Sequence, residues 1–165
     1  MTKITREKLF DYNKHNLVYI GEFIKLADQK ASIVLTINVA LIGFFINYLK
    51  EVDWNKLPVS KVFLIIGILT LVISAGYALF KVLWPRYNSN TSEYMSWGGI
   101  AAYSNQDDYV NKLNESEETV FFDDMTKQNL AVAKICAVKY KFLKYSYFAF
   151  VTGILISGFA WIFDK

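Results

Sequence analysis

Three stretches of the chain contain no charged residue, and their length restricts what the chain can fold into. They comprise residues 31–49, 62–80 and 145–163, with 19 residues in each. A helix rises about 1.5 Å per residue, so each stretch spans roughly 28 Å, close to the ~30 Å thickness of the hydrocarbon core of a bilayer. Buried helices of soluble domains usually have shorter apolar runs, so the pattern favours three membrane-spanning helices over three core helices.

The rest of the composition agrees with a single membrane domain covering residues 1–165. The chain is 54% hydrophobic and carries a net charge of only +3, which indicates neither disorder nor a nucleic-acid-binding tail. About thirty polar and amphipathic residues precede the first uncharged stretch, so we expect a retained span there and not a secretory signal. The single cysteine, Cys136, excludes an internal disulfide and a cysteine metal cluster.

The sequence predicts an all-α integral membrane protein in which two of three spans extend into the cytoplasm as long helices. Apolar residues recur at helical spacing before the first span: Phe10, Leu17, Ile20, Ile24, Ala27 and Ala31. Nothing breaks the helix between this stripe and the span. We therefore expect one helix from about residue 5 to about residue 50, cytoplasmic over 5–30 and spanning over 31–49.

A second long helix is predicted before and through the third span. Ser116 is suited to cap it, because Glu117 and Glu118 would then lie in its first turn, at the positive end of the helix dipole. Residues 116–142 are expected to be cytoplasmic and 143–163 to span. Further apolar residues follow at helical intervals: Val120, Phe121, Met125, Val132, Ile135, Cys136 and Phe142.

The middle of the chain is predicted to hold the second span and short helices. After an outer loop at 50–60, a span at 61–83 ends at Trp84 and Pro85, an aromatic anchor and a helix terminator. Residues 84–115 form a cytoplasmic loop. Within it, 94–103 is expected to be an interfacial helix or the wall of a pocket, and 105–114 a short acidic surface helix.

The distribution of lysine and arginine predicts the orientation. Fourteen of the 18 cations precede the first span or lie between the second and third spans. The positive-inside rule therefore places the N-terminus in the cytoplasm and the C-terminus outside. The outer side has too little chain for a folded domain, so any sensing is expected to be cytoplasmic.

Charges stand directly before the first span, at Asp28 and Lys30. On a helix these two residues point to opposite sides. Arg86 and Lys139 are expected at a similar depth, and each is a candidate partner for Asp28. Two interpretations stay open: an ion pair that fixes the register between helices, or a polar layer that acts as a ligand site or a switch.

The chain resembles the Pycsar effector membrane proteins (PycTM) in four segments that occur in the family's order. They are ADQKAS at 27–32, WPR at 84–86, SWGGI at 96–100 with Tyr103, and a last motif with Asp124, Gln128, Asn129, Ala133, Lys139 and Tyr140. The similarity runs from about residue 17 to the end of the chain. It departs from a familiar pattern of nucleotide sensors, because no cyclic-nucleotide-binding β-roll with a glycine-rich phosphate cassette is visible.

The resemblance implies an anti-phage effector of the bacterial inner membrane. Such an effector responds to a cyclic pyrimidine mononucleotide, cCMP or cUMP, made by a partner cyclase, and impairs the membrane so that infection aborts. The ligand layer expected on this basis consists of Asp28, Lys30, Arg86, Trp97, Gln128, Asn129, Lys139 and Tyr140. Lys30 or Arg86 would bind the phosphate by a charge-assisted hydrogen bond. An aromatic side chain such as that of Trp97 would stack on the base. Gln128 and Asn129 would form hydrogen bonds with the edge of the base. Taken singly, each residue also fits an aromatic belt or a solvated face.

Enzyme chemistry is not expected from this sequence. The one histidine, His15, lies among polar neighbours, and no nucleophile–base set accompanies it. The acidic residues between positions 107 and 124 are interpreted as a solvated face. We expect no cofactor and no metal, and as partners lipids, further copies of the chain, the nucleotide and its cyclase, but no nucleic acid. A small ion channel and a passive accessory subunit are the alternative functions.

Overall fold

A computed structural model of the chain describes residues 5–50, 59–85 and 96–163, and all regular structure in them is helical. The elements in chain order are α1 (Arg6–Lys50), α2 (Val59–Gly76), a π-helix (Tyr77–Leu83), α3 (Trp97–Ala101), α4 (Gln106–Glu115) and α5 (Glu118–Phe163). α1, α5 and the combined helix Val59–Leu83 are each long and apolar enough to cross a membrane. The prediction of an all-α protein with three such helices is confirmed.

The chain divides into two compact units, and both long helices supply residues to each. The first unit comprises Met1–Ile24 and Pro85–Ala137, and the second comprises Lys25–Trp84 and Val138–Lys165. α1 and α5 are unbroken helices of 45 and 46 residues. The prediction of one helix from about residue 5 to residue 50 is therefore confirmed.

In the second unit, the three long helices pack through a heptad-like seam. The buried positions of α1 are separated by three, four or seven residues, as in coiled coils: Ala27, Ala31, Val34, Asn38 and Phe45. The buried positions of α5 in this unit are separated by three or four residues: Lys139, Leu143, Ser146, Ala149, Gly153, Ser157 and Ala160. α1 and α5 run parallel, because Asp28 meets Lys139 near one end and Phe44 meets Trp161 near the other. α2 runs antiparallel to both.

Small residues bring α2 and α5 into very close contact. A Cβ atom added at Gly67 would lie 2.1 Å from Ser157 Oγ and 2.9 Å from the Ser157 backbone nitrogen. A Cβ atom added at Gly153 would lie 2.8 Å from the side chain of Leu71. Apolar helices in a membrane gain little from hydrophobic burial against each other, so close van der Waals packing at such positions drives their association.

In the first unit, α1 and α5 again lie parallel. The rings of Phe10 and Phe121 are 6.0 Å apart, and Asn13 Nδ2 donates to Thr126 Oγ1 at 3.2 Å. Two short helices belong to the same unit, and each has a side-chain N-cap. Ser96 accepts from the backbone N–H of Gly99, and Asn105 accepts from that of Asp108. The predicted short helices near 94–103 and 105–114 are thus present as α3 and α4.

Two local predictions need correction, and one local feature was not predicted. Ser116 does not cap α5, because its hydroxyl donates to the carbonyl of Lys112 at the end of α4, and α5 begins at Glu118. Val120 faces outward, since it is 47% exposed and lies beside the seam. The last two turns of the second span form a π-helix with i→i+5 bonding, as in Trp84 N–H to Leu79 O, which widens the helix before Pro85.

The close contact at Gly67 yields a stability prediction. Gly67→Ala should lower the free energy of unfolding in detergent by about 1–3 kcal/mol, because backbone atoms of Ser157 would have to shift. Gly43→Ala is the matched control, since an added Cβ there has nothing within 4 Å. Thermal unfolding followed by circular dichroism measures both variants. Equal stability of Gly67→Ala and the unmodified chain would contradict the packing.

Candidate functional site

A buried lysine joins all three long helices at one end of the second unit. The ammonium group of Lys139 on α5 lies 2.5 Å from Asp28 Oδ1 on α1 and donates to the backbone carbonyl of Val82 at 2.7 Å. The Lys139 side chain is 5% exposed, whereas that of Asp28 is 36% exposed. We call these three residues the Lys139 layer.

The local sequence explains why each group of the Lys139 layer points inward. Lys139 occupies a seam position of α5, and Asp28 directly follows the seam residue Ala27. The helix of the second span ends at Leu83, so its last carbonyl groups have no amide donor from a following turn. A lysine at the negative end of a helix dipole satisfies such a carbonyl and gains from the dipole.

Apolar and aromatic groups surround the ammonium group of Lys139 and keep water away from it. Ala27, Ala31, Ala78, Val82 and Leu143 form one buried cluster, and Tyr140 and Phe142 pack against it. The ring of Phe142 stacks on Tyr77 at 5.9 Å, and Lys81 Nζ lies 5.7 Å from its centroid. A charge pair in such surroundings is held firmly while both partners are present, and the loss of either partner is costly.

A second polar layer crosses the middle of the predicted spans. Asn38 Nδ2 donates to Ser74 Oγ at 3.0 Å, and the hydroxyls of Ser74 and Ser146 each donate to the other residue's carbonyl, at 2.8 and 2.9 Å. All three residues are fully buried. The buried oxygen of Asn38 has no hydrogen-bond partner among the described residues. Asn38 therefore lies on a buried face of its span.

A third polar contact lies in the first unit. Asn129 Nδ2 donates to both the backbone carbonyl and Oδ1 of Asn13, at 3.0 and 2.9 Å. The Oδ1 atom of Asn129 is buried, and no group in the part of the chain that the structure describes forms a hydrogen bond with it. Polar side chains at seam positions fix the register of paired helices, because any slip would leave them unsatisfied.

The residues predicted to contact a ligand divide between the two units. Asp28, Lys30, Lys139 and Tyr140 belong to the second unit, where Lys30 is exposed, and Trp97, Gln128 and Asn129 belong to the first. Arg86 lies outside the described residues. Arg86 and Lys139 were both candidate partners for Asp28, and Asp28 pairs with Lys139. Binding of a ligand by these eight residues stays a prediction.

Sequence reasoning missed several polar contributors to the layers. The Val82 carbonyl is a backbone group, and no side chain signals it. Asn13 and Ser146 could have been found, because each is a polar residue at a three-or-four-residue step of the apolar stripe. His15 is exposed, as expected for a surface position. Within residues 5–50, 59–85 and 96–163, no group of three His, Cys, Asp or Glu residues is placed to hold a metal ion.

Comparison with known proteins gives one consistent result. The chain matches the model of the PycTM family, described as the Pycsar effector protein domain, over residues 12–163. It is 24% identical over 160 residues to the Pycsar effector protein SaPycTM of Staphylococcus aureus, covering 93% of this chain and 95% of that protein. No solved structure matches the chain. The four motifs, the three apolar helices and the match over nearly the whole length together establish that this chain is a membrane protein of the Pycsar effector family PycTM.

Proposed function

We propose that the chain defends a bacterium against phage by responding to cCMP or cUMP and impairing the inner membrane. The observation that carries the mechanism is the Lys139 layer, a buried ion pair that joins all three long helices at one end of the second unit. Family membership supports the anti-phage role. A partner cyclase would supply the nucleotide, and further copies of the chain are the expected assembly partners.

The proposed orientation follows from charge. Lysine and arginine concentrate before the first span and between the second and third spans, so these segments face the cytoplasm and the C-terminus faces out. The nucleotide is then on the same side as the first unit. The segment between the first two spans is short and faces outward.

The proposed mechanism makes the packed spans the resting state and their separation the active state. The Lys139 layer is stable only while the ammonium group keeps both acceptors, so a small displacement of α1 or α5 breaks it as a unit. Separated spans would expose Asn38, Ser74 and Ser146, which then need partners in other copies or in water. Polar groups of this kind drive helix association inside membranes, and lipid packing around them is disturbed.

The alternatives fit the structure less well. An ion-conducting path usually places charged residues inside the spans, and residues 31–49, 62–80 and 145–163 contain none. A passive accessory subunit would need no breakable charge layer. We therefore propose a non-enzymatic effector.

The proposal predicts nucleotide-dependent leakage. Liposomes containing the purified full-length chain should release an entrapped dye when cCMP or cUMP is added, and should stay sealed without nucleotide or with AMP. Steady ion-selective current without nucleotide would indicate a channel instead. Liposomes that stay sealed under all conditions would indicate an accessory role and contradict the proposal.

The Lys139 layer predicts an asymmetric pair of variants. Asp28→Asn should destabilise the protein more than Lys139→Met, because it leaves a buried ammonium group without its counter-charge, whereas the Asp28 carboxylate can still reach water. We expect a loss of about 1–3 kcal/mol for Asp28→Asn. The double variant should be no less stable than Asp28→Asn alone. Thermal unfolding in detergent measures stability, and leakage at low nucleotide concentration should rise in Asp28→Asn. The proposed role of the ion pair would be contradicted if the stability losses of the two single variants add in the double variant. It would also be contradicted if Asp28→Asn needs the same nucleotide concentration for leakage as the unmodified chain.

The orientation predicts a labelling pattern. In a Cys136→Ser background, Lys50→Cys should react with an impermeant maleimide in intact spheroplasts. Ser104→Cys, exposed in the first unit, should react only after permeabilisation. The reverse pattern would place the first unit outside the cell, beyond the reach of an intracellular nucleotide.

A further inference from the structure

A groove in the first unit has the size and lining of a small-ligand site. Its volume is about 310 Å³, and it is lined by Tyr19, Ile20 and Phe23 of α1 and Ala133, Cys136 and Ala137 of α5. The rings of Tyr19 and Phe23 form one wall, with their centroids 4.8 Å apart. The small side chains of Ala133, Cys136 and Ala137 on α5 form the other side of the groove. Small-molecule sites commonly have such mostly apolar walls and start at about 300 Å³.

Two lysines of α5 lie beside this groove, and a histidine lies near its α1 wall. Lys134 is adjacent in sequence to Ala133 and three residues before Ala137, so it lies about 60° around α5 from Ala137. Lys127 precedes Lys134 by seven residues and lies on the same side of the helix. On the α1 side, His15 stacks on Tyr19 at 6.4 Å. Glu22 is the acidic residue nearest to Tyr19 and Phe23 along α1, and it takes part in an interaction with another group.

Two other cavities lack this combination. The one between the first turns of α1 and α5 is lined by Phe10, Phe121 and Phe122, but also by three carboxylates against one arginine, which disfavours an anion: Glu7, Glu118, Asp123 and Arg6. The one between α2 and α5 is lined by apolar residues and Ser60 and has no charged lining residue. Charge complementarity therefore favours the Tyr19–Phe23 groove for an anionic ligand.

We propose that this groove binds a planar aromatic ring that carries one phosphate group, and that it is where the nucleotide response begins. The inference rests on the proposed function, because it takes a cyclic pyrimidine mononucleotide as the occupant. The base stacks on the ring of Tyr19 and contacts the ring of Phe23, which is tilted by 57° to that of Tyr19, and it lies against the small side chains of Ala133 and Ala137. The Lys134 ammonium group donates to the phosphate.

Cys136 allows a direct test, because the only cysteine of the chain lines the groove. The rate at which N-ethylmaleimide modifies Cys136 in the full-length protein should fall at least about tenfold at saturating cCMP or cUMP, since the bound ligand covers the thiol. Inorganic phosphate, which has no ring to stack, is the comparison ligand and should leave the rate unchanged. If Cys136 itself reacts too slowly, Ala137→Cys in a Cys136→Ser background gives the same readout from an exposed position.

Two variants locate the ligand within the groove. Tyr19→Leu should raise the nucleotide concentration for half-protection by roughly 5- to 150-fold through lost stacking. Lys134→Gln should raise it by about tenfold or more through the lost charge-assisted bond. The matched controls are Tyr12→Leu, one heptad earlier on the same side of α1, and Lys14→Gln on the opposite side of α1. Both controls should leave the half-protection concentration unchanged.

The outcomes separate this inference from the proposed function. Nucleotide-dependent leakage with unprotected Cys136 would overturn the groove and leave the function standing. Neither leakage nor protection would overturn both. Protection that depends on protein concentration and not on nucleotide would show that a second copy covers the groove, and would also overturn the inference.

Discussion

The buried ammonium group of Lys139 holds α1 and the end of the second span against α5. It neutralises the Asp28 carboxylate and satisfies a carbonyl that the end of the π-helix leaves without an amide donor. Removing a lysine from water is unfavourable, so this arrangement persists only because both acceptors lie within hydrogen-bonding distance. The same dependence makes the layer a suitable switch, since a small helix displacement removes both interactions together.

Polar layers and small residues complement each other in this architecture. Gly67 and Gly153 allow α2 and α5 to approach so closely that a methyl group would not fit, and this contact has no directional preference of its own. Asn38, Ser74 and Ser146 add direction, because their hydrogen bonds form in one register only. In the first unit, the pair Asn13 and Asn129 plays the corresponding role between parallel helices. Each unit thus combines apolar packing with polar groups that specify how the helices align.

Much of the fold could be predicted from the sequence, because long uncharged runs and a three-or-four-residue apolar repeat are strong signals. The site was harder to predict. Periodicity showed which side of α1 Asp28 occupies, but it could not choose between Arg86 and Lys139, which depends on how helices far apart in sequence align. The π-helix at Tyr77–Leu83 has no marker in its residues, so the Val82 carbonyl could not be foreseen. Ser116 is suited to an N-cap by its residue type, but its hydroxyl donates to the carbonyl of Lys112 at the end of α4. Cys136 belongs to the apolar repeat of α5, but it is half-buried and lines a groove.

The central claim is that the three spans must separate for the protein to act, and a disulfide between two of them tests it most directly. Ser74 Oγ and Ser146 Oγ lie 3.3 Å apart, so Ser74→Cys with Ser146→Cys in a Cys136→Ser background should form a disulfide that ties α2 to α5. We expect the oxidised protein to leave dye-filled liposomes sealed in the presence of cCMP or cUMP, and reduction to restore leakage. Equal leakage from the oxidised and reduced protein would show that the membrane is impaired without separation of the spans.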